Sequence, residues 1–339
     1  MLEPLRMSLD TERLRGLLCA LQDAVQSAVL AARDSRSAAD LAAVAEETPS
    51  DTLYGIDGPG EAAAVDWLDA HWPEDLPVEV VMEGREARTF PRGLPDASEA
   101  RLVCIVDPID GTRGFMHDKR SAWVLSAVAP RRQGGARLGD LAVAAMTELP
   151  PAKQRLADQL SAVRGAGQGG LRARRRDLNS RSETAFAPRP SAAPDLAHGF
   201  AAFAHFFPRG KGLLARFEET LWERLHGDAP VFDDQYLSTG GQLYELLTGR
   251  DRLLGDLRPL AREALGSDAV PVCHPYDACT ALIAEAAGCI VQDARGGPLD
   301  APLDTTSAVA WVGFANAALE RRVRPVLDEV LREFFPVPG

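Results

Sequence analysis

Hydrophobic residues along the chain follow two different periods. Leucine and valine recur at helical spacing over residues 10–33, 213–226 and 316–334, which predicts amphipathic helices there. Short apolar runs of the kind that form buried strands occupy residues 78–83, 102–106, 121–130, 141–146, 159–164, 251–257, 289–293 and 307–314. The pattern therefore predicts a mixture of helices and strands, with no internal repeat and no coiled coil.

Two segments lack a clear period. Residues 34–50 are small and polar, and they predict either a second helix or a mobile segment. Residues 165–194 are rich in Gly, Arg, Ser and Pro, which is typical of a solvated loop or hairpin. An alternative role for this second segment is to bind a phosphate-bearing substrate. It contains four clustered arginines that could do so: Arg172, Arg174, Arg175 and Arg176.

One predicted strand ends in a pair of acids. Leu102–Val106 is apolar at every position, so we expect burial on both faces. Pro108 has no N–H to donate, which predicts that the strand ends there. Asp107 and Asp110 lie three residues apart on this turn, and they repel each other unless a cation or a proton intervenes. A hard divalent cation such as Mg²⁺ is the natural candidate, and the alternative is a polar turn with Asp110 in an Asx-turn.

Composition narrows the class of protein. The chain has 339 residues, of which 46% are hydrophobic and 25% charged, as in ordinary globular proteins, and its length allows two domains. A net charge of −12 argues against partners such as nucleic acid or anionic membranes. Five cysteines without a CxxC pair favour a reduced, cytoplasmic protein. The N-terminus is too charged for a signal peptide, and no apolar run reaches the length of a membrane span.

The string DPIDGTRGF at residues 107–115 resembles the DPxDGTxxF signature of the inositol monophosphatase and fructose-1,6-bisphosphatase superfamily. Its members are metal-dependent, lithium-sensitive phosphatases of sugars and nucleotides. Further segments resemble this family from about residue 50 to the C-terminus. The resemblance implies an α/β (α+β) fold, a layered α-β-α-β-α sandwich. It also implies one phosphatase unit over residues 1–339, with a metal-site half to about residue 195 and a substrate half after it, and a homodimer.

The resemblance also implies roles for individual residues. The metal ligands of two or more Mg²⁺ ions would be Glu83, Asp107, the carbonyl of Ile109, Asp110 and Asp277. Asp57 and Thr112 would orient the attacking water. Glu83 would be a catalytic residue as well as a metal ligand. Phosphate and substrate would be bound by Gly111, Thr112, Gly240 and Asp256.

The reaction implied is Mg²⁺-dependent hydrolysis of a small phosphorylated polyol or sugar, with a metal-activated water attacking phosphorus. The chain departs from the family at Gly84, where a second Glu is usual, which puts a third metal in doubt. Arg113 and Gly114 match neither the inositol-phosphate nor the nucleotide members. The alternatives are therefore a 3′(2′),5′-bisphosphate nucleotidase, a histidinol phosphatase, or a degenerate member that binds metal and phosphate without turnover.

A zinc site is a further alternative, because four potential ligands lie close together in sequence: Cys273, His274, Asp277 and Cys279. Their spacing is not that of structural zinc sites, and carboxylate-rich sites suit hard cations better. Neither the GxSxG motif of serine hydrolases nor a P-loop occurs.

Overall fold

Two mixed sheets, a short β-ribbon and the helices on their faces make up the structure, a computed structural model that describes residues 9–47, 52–92, 99–226 and 229–336. In chain order the strands are Val44–Glu47 (β1), Thr52–Tyr54 (β2), Val78–Met82 (β3), Arg88–Phe90 (β4), Leu102–Asp110 (β5), Ala122–Pro130 (β6), Val143–Leu149 (β7), Leu156–Val163 (β8), Arg172–Asp177 (β9), Glu183–Ala185 (β10), Phe200–Phe203 (β11), Asp251–Asp256 (β12), Ile290–Asp293 (β13) and Trp311–Phe314 (β14). The helices are Thr11–Ser35 (α1), Ala38–Leu41 (α2), Asp57–His71 (α3), Thr112–Phe115 (α4), Lys211–His226 (α5), Thr239–Leu247 (α6), Arg258–Leu265 (α7), Pro275–Ala278 (α8), Ala281–Ala287 (α9) and Ala317–Phe334 (α10).

The larger sheet has eight strands in the order β10-β9-β8-β7-β6-β5-β3-β4, and the smaller has four in the order β11-β12-β14-β13. In the larger sheet β3 runs parallel to β5, and the other neighbours are antiparallel. Strand β5 lies inside this sheet and is buried along its whole length. Its C-terminal acids are therefore fixed by neighbours on both sides.

Three hydrophobic clusters lie between the five layers of helices and sheets. One face of the large sheet, including Cys104 and Val106, packs against α1 and α3. The opposite face, including Ile105 and Leu125, packs against α6, α8 and α9 between the two sheets. The outer face of the small sheet packs against α5 and α10. The predicted layered α-β-α-β-α sandwich is confirmed. Side chains along β5 alternate between the two faces of the sheet, and both faces are buried, so the strand is apolar at every position from Leu102 to Val106.

The predicted helices over residues 10–33, 213–226 and 316–334 correspond to α1, α5 and α10. Asp10 caps α1, because its Oδ1 accepts the backbone N–H of Arg13 at 3.0 Å. The predicted second helix is present in residues 34–50 as the short α2, Ala38–Leu41, but it is followed by the strand β1. Residues 48–50 lie outside the described ranges.

The prediction that the strand ends at Pro108 was wrong. Asp107 pairs opposite Leu125, the register then shifts, and pairing resumes with Asp110 opposite Trp123. One extra residue on β5 is taken up by a bulge, where a ladder N–H is not required. The bulge brings both acids to the same end of the sheet while keeping the strand intact.

Residues 165–194 form a hairpin rather than an open loop, since β9 and β10 pair antiparallel within this segment. The four clustered arginines of β9 pair with protein acids: Arg172 with Glu12, Arg174 and Arg176 with Asp23 and Glu183, and Arg175 with Asp158. These pairs hold β9 against α1 and β8. They account for the arginine cluster without a substrate. No helix in the described parts of the chain is long and apolar enough to cross a membrane.

Candidate active site

The carboxyl end of β5 positions Asp107 and Asp110 at the floor of a cavity. Asp107 is buried, and its Oδ1 accepts the backbone N–H of Ile109 at 2.9 Å. Gly111 follows with a φ of 98°, a left-handed conformation that turns the chain from β5 into α4. A Cβ at this position would lie 2.9 Å from the Cβ of Ser238. Glycine is therefore required both by the backbone angle and by the neighbouring α6.

The N-terminus of α6 holds the Asp110 carboxylate. Its Oδ2 accepts the Ser238 hydroxyl at 2.8 Å and the N–H of Gly240 at 2.6 Å, while Oδ1 accepts the N–H of Thr239 at 3.3 Å. Donors at a helix N-terminus favour a negative charge. Burial nevertheless raises the pKa of Asp110 to about 6, against these hydrogen bonds, which lower it.

A third acid approaches from the other half of the chain. Asp277 lies in α8, and its Oδ2 accepts the N–H of His274 at 2.6 Å. Oxygen atoms of Asp107, Asp110 and Asp277 all lie within 4.8 Å of one another. Burial raises the pKa of Asp107 well above its usual range, and the neighbouring charges of Asp110 and Asp277 raise it further. Three acids this close are costly unless a cation lies between them or one of them is protonated.

The donor set fits a hard divalent cation. Glu83 and Ile109 line the same cavity as the three aspartates, so the described part of the site offers carboxylate and carbonyl oxygens. Such donors suit Mg²⁺ rather than zinc. Neither Cys273 nor Cys279 belongs to the cluster, and the Cys279 thiol donates to the carbonyl of Tyr276 at 3.2 Å.

Thr112 and Asp57 meet beside these acids. The Thr112 hydroxyl lies 3.0 Å from Oδ1 of Asp57 and 2.8 Å from the carbonyl of Ile109, both of which are acceptors for its single hydrogen. Asp57 Oδ2 accepts the N–H of Tyr54 at 2.7 Å. The carboxylate is thus held through β2, and Thr112 lines the cavity at the start of α4.

Solved structures of similar fold cover almost the whole chain. The extragenic suppressor protein SuhB from Bartonella henselae has a TM-score of 0.63 at 17% identity, over 94% of this chain and 99% of that one. Leishmania major fructose-1,6-bisphosphatase has a TM-score of 0.64 at 13% identity, over 94% of each chain. An inositol monophosphatase from Zymomonas mobilis has a TM-score of 0.58 at 17% identity, over 95% and 98%. The chain has the inositol monophosphatase and fructose-1,6-bisphosphatase fold. No protein-family model and no curated protein sequence matches it.

Two residues predicted to bind substrate on this fold have other contacts. The N–H of Gly240 is taken by Asp110, and a Cβ there would lie 2.6 Å from Cδ2 of Leu125. Asp256 is fully buried and forms an ion pair with Arg258. The structure thus places both behind the cavity wall, where they position Asp110 and Arg258, whereas Gly111 and Thr112 lie on the wall itself.

Glu61 lies one helical turn after Asp57 on α3, but the structure separates the surroundings of the two acids. Glu61 accepts a hydrogen bond from Nε of Arg85 at 2.6 Å, and this pair lies in a neighbouring depression. Gly84, at the position of the usual second acid, has a φ of 68°. The Arg85 guanidinium supplies positive charge next to Glu61.

The Phe206–Phe207 pair of the cavity wall was not identified from the sequence. It lies beside Arg113 and beside Arg258, which opens α7. The sequence signal was weak, because a Phe-Phe pair in a loop has no characteristic spacing. Phe206 and Phe207 follow β11, and Arg258 follows β12. These residues meet at the cavity because β11 and β12 are parallel neighbours in the smaller sheet.

A second group of titratable side chains includes His205, the residue before Phe206. His205, Glu218 and Asp233 bring potential ligand atoms within 4.8 Å of one another. Glu218 accepts the backbone N–H of Phe203 at 2.8 Å, and the His205 Nδ1–H donates to the carbonyl of Phe203 at 2.8 Å. Burial raises the pKa of Glu218 to about 8. These hydrogen bonds tie α5 to the end of β11, and we assign no ion to the group.

Proposed function

We propose that the protein is a divalent-metal-dependent phosphatase that hydrolyses a small phosphate monoester, of the polyol or sugar class. The observation that carries this proposal is the convergence of three aspartates whose oxygens lie within 4.8 Å of one another, the buried Asp107 and Asp110 from β5 and the half-buried Asp277 from α8. The likeness to phosphatases of the same fold, a fructose-1,6-bisphosphatase and an inositol monophosphatase, supports it. Cytoplasmic placement and a homodimer stay predictions.

Five residues would hold the metal: Glu83, Asp107, Ile109, Asp110 and Asp277. We propose Mg²⁺, at two or more ions, because the donors are oxygens and four of them are anionic. When bound, the cations would neutralise phosphate charge and lower the pKa of a water molecule. Gly111 and Thr112 line the cavity where α4 begins, and we propose that their backbone N–H groups bind the phosphate.

Thr112 and Asp57 would orient the attacking water. A hydroxyl that donates to Asp57 has its lone pairs directed away from that acid, so it can accept a hydrogen bond from water. Asp57 is itself held by the N–H of Tyr54, which fixes the direction of the pair. The water would attack phosphorus in line with the leaving alcohol, with inversion and without a covalent enzyme intermediate.

Phosphate release tests the function. We expect Mg²⁺-dependent release from at least one of four esters: inositol 1-phosphate, fructose 1,6-bisphosphate, adenosine 3′,5′-bisphosphate and histidinol phosphate. Preference for the third or fourth would identify the nucleotidase or histidinol phosphatase alternative. The divalent ion should also raise the thermal unfolding midpoint, because it binds the native state. A midpoint that rises with Mg²⁺, together with no release from any ester, would favour the non-catalytic alternative.

Replacing Thr112 with alanine should lower kcat by about 10²-fold, the usual contribution of a positioned proton-transfer partner. Thr112→Ser keeps the hydroxyl and should recover most of the rate. Steady-state kinetics and the Mg²⁺ effect on the unfolding midpoint would be measured for both variants. Full turnover by Thr112→Ala would exclude this hydroxyl from orienting the water.

A further inference from the structure

A wall of alternating guanidinium and aromatic groups lines the cavity beside the acids. The Arg113 Cζ lies 5.5 Å from the ring centre of Tyr54 and 5.4 Å from that of Phe207. The Arg258 Cζ lies 5.6 Å from the same Phe207 ring and 4.8 Å from that of Phe206. Phe207 therefore contacts both guanidinium groups. Stacking on aromatic faces limits the freedom of each arginine and sets its plane.

Arg258 is also fixed by a carboxylate from behind. It is buried, and its Nε lies 2.9 Å from both oxygens of Asp256, while Nη2 bonds to Oδ2. Its backbone N–H also donates to Asp256, at 3.0 Å. Asp256 thus occupies the edge of the guanidinium formed by Nε and Nη2, so we expect a ligand to bind at Nη1. A buried arginine held this firmly has lost its conformational freedom before any ligand binds.

Arg258 lies near the acids that are proposed to bind metal. It lies close enough to act electrostatically on Asp110 and on Asp277. Asp110, Asp277 and Arg258 line one cavity, together with Arg113. A ligand seated on the acids through divalent cations would therefore have its other end near the two guanidinium groups.

We propose that the substrate carries a second anionic group, a phosphate or a carboxylate, which binds Arg113 and Arg258 while the scissile phosphate lies at the acids. This inference rests on the proposed phosphatase function and specifies its substrate class. Guanidinium groups bind phosphate and carboxylate through paired hydrogen bonds, which a neutral polyol cannot match. Phe206 and Phe207 hold these donors in place before binding.

Matched ester pairs test the proposal. Fructose 1,6-bisphosphate and fructose 1-phosphate share a scissile group and differ by the second phosphate. 3-Phosphoglycerate and glycerol 3-phosphate differ by a carboxylate. We expect kcat/KM to favour the doubly anionic member of at least one pair by about tenfold or more, chiefly through KM, as for hydrogen bonds to charged groups. The pair that shows the larger ratio identifies the second anion.

Arg113→Met should lower that ratio about tenfold, and Arg258→Lys should lower it too while leaving a cation beside Asp256. Arg250→Met is the matched control, because Arg250 also stacks on a tyrosine, Tyr244 at 5.1 Å, and pairs with an acid outside the cavity. It should leave the ratio unchanged. An equal loss for both members of a pair would overturn the proposal, since the arginines would then act on the scissile phosphate.

A wild-type enzyme that shows no preference in either pair would also overturn it. If no ester is hydrolysed, the phosphatase proposal fails, but the second-anion proposal can still be tested by binding. Each ester would then be added with Mg²⁺, and the unfolding midpoint measured. The doubly anionic member should raise the midpoint more than its partner, and Arg113→Met should remove that difference. Equal shifts in the wild type would contradict the proposal.

Discussion

Replacing Asp110 with asparagine should lower kcat/KM for the best phosphate ester by about 10³-fold or more, because metal stabilisation of the reacting phosphate is worth several kcal/mol. Asp110 is one of three aspartates whose oxygens lie within 4.8 Å of one another. An amide removes one anionic donor from this set, and Mg²⁺ binds carboxylate oxygens far better than amides when its charge must be balanced. The loss should therefore persist at raised Mg²⁺.

The same substitution should leave the fold intact. An amide oxygen at the Oδ2 position can still accept from Ser238 and Gly240, so the two short hydrogen bonds to α6 remain. The bond that is lost, to the N–H of Thr239, is the longest of the three at 3.3 Å. Repulsion from the neighbouring acids also falls, which offsets this loss.

Unfolding midpoints with and without Mg²⁺ separate the two effects. The wild type should gain stability on adding Mg²⁺, and Asp110→Asn should not, although the two unfold at similar temperatures without metal. Asp251→Asn is a suitable control, because Asp251 is a buried aspartate outside the cavity whose pKa burial raises to about 7. It should keep both the activity and the Mg²⁺ response. If Asp110→Asn retained the wild-type response to Mg²⁺, Asp110 would not be a ligand.

The acids of β5 could be predicted from the sequence because their position depends on local rules. An uncharged apolar strand predicts burial on both faces, and acids directly after it must lie at a sheet end. The pairing of Thr112 with Asp57 was also foreseen, but it rested on resemblance to a family, since 55 residues separate them. Nothing in the local pattern of either residue points to the other.

The cavity wall could not be predicted in this way. Asp256 was expected to touch substrate, yet it is two residues from Arg258 and lies behind it. The turn from β12 into α7 decides whether the side chain of Asp256 or that of Arg258 lines the cavity. The pattern of hydrophobic residues does not predict the geometry of this turn. The residues after Pro108 also could not be predicted from the local pattern. The missing N–H of Pro108 predicts the end of the strand, but in the structure β5 continues its pairing with β6 through a bulge.

Replacing Gly111 with alanine should destabilise the protein by about 2–4 kcal/mol and lower kcat by about 10²-fold. Two causes act together. The φ of 98° is unfavourable for any residue with a Cβ, and that Cβ would lie 2.9 Å from Cβ of Ser238 and 3.3 Å from the carbonyl of Leu237. To relieve the clash, the turn must move away from the N-terminus of α6. Asp110 and Thr112 flank this turn, so the proposed metal ligand and the hydroxyl proposed to orient the water would be displaced together.

Gly135→Ala separates the two causes. Gly135 has a nearly identical φ of 95°, but no heavy atom outside its immediate neighbours lies within 4 Å of its hypothetical Cβ. It should therefore show only the backbone cost, about 1 kcal/mol, with turnover unchanged. Chemical denaturation and steady-state kinetics would be compared for both variants. Equal destabilisation by the two substitutions would mean that α6 moves freely, and the tight contact between Gly111 and Ser238 would then not be what positions Asp110 against Thr112.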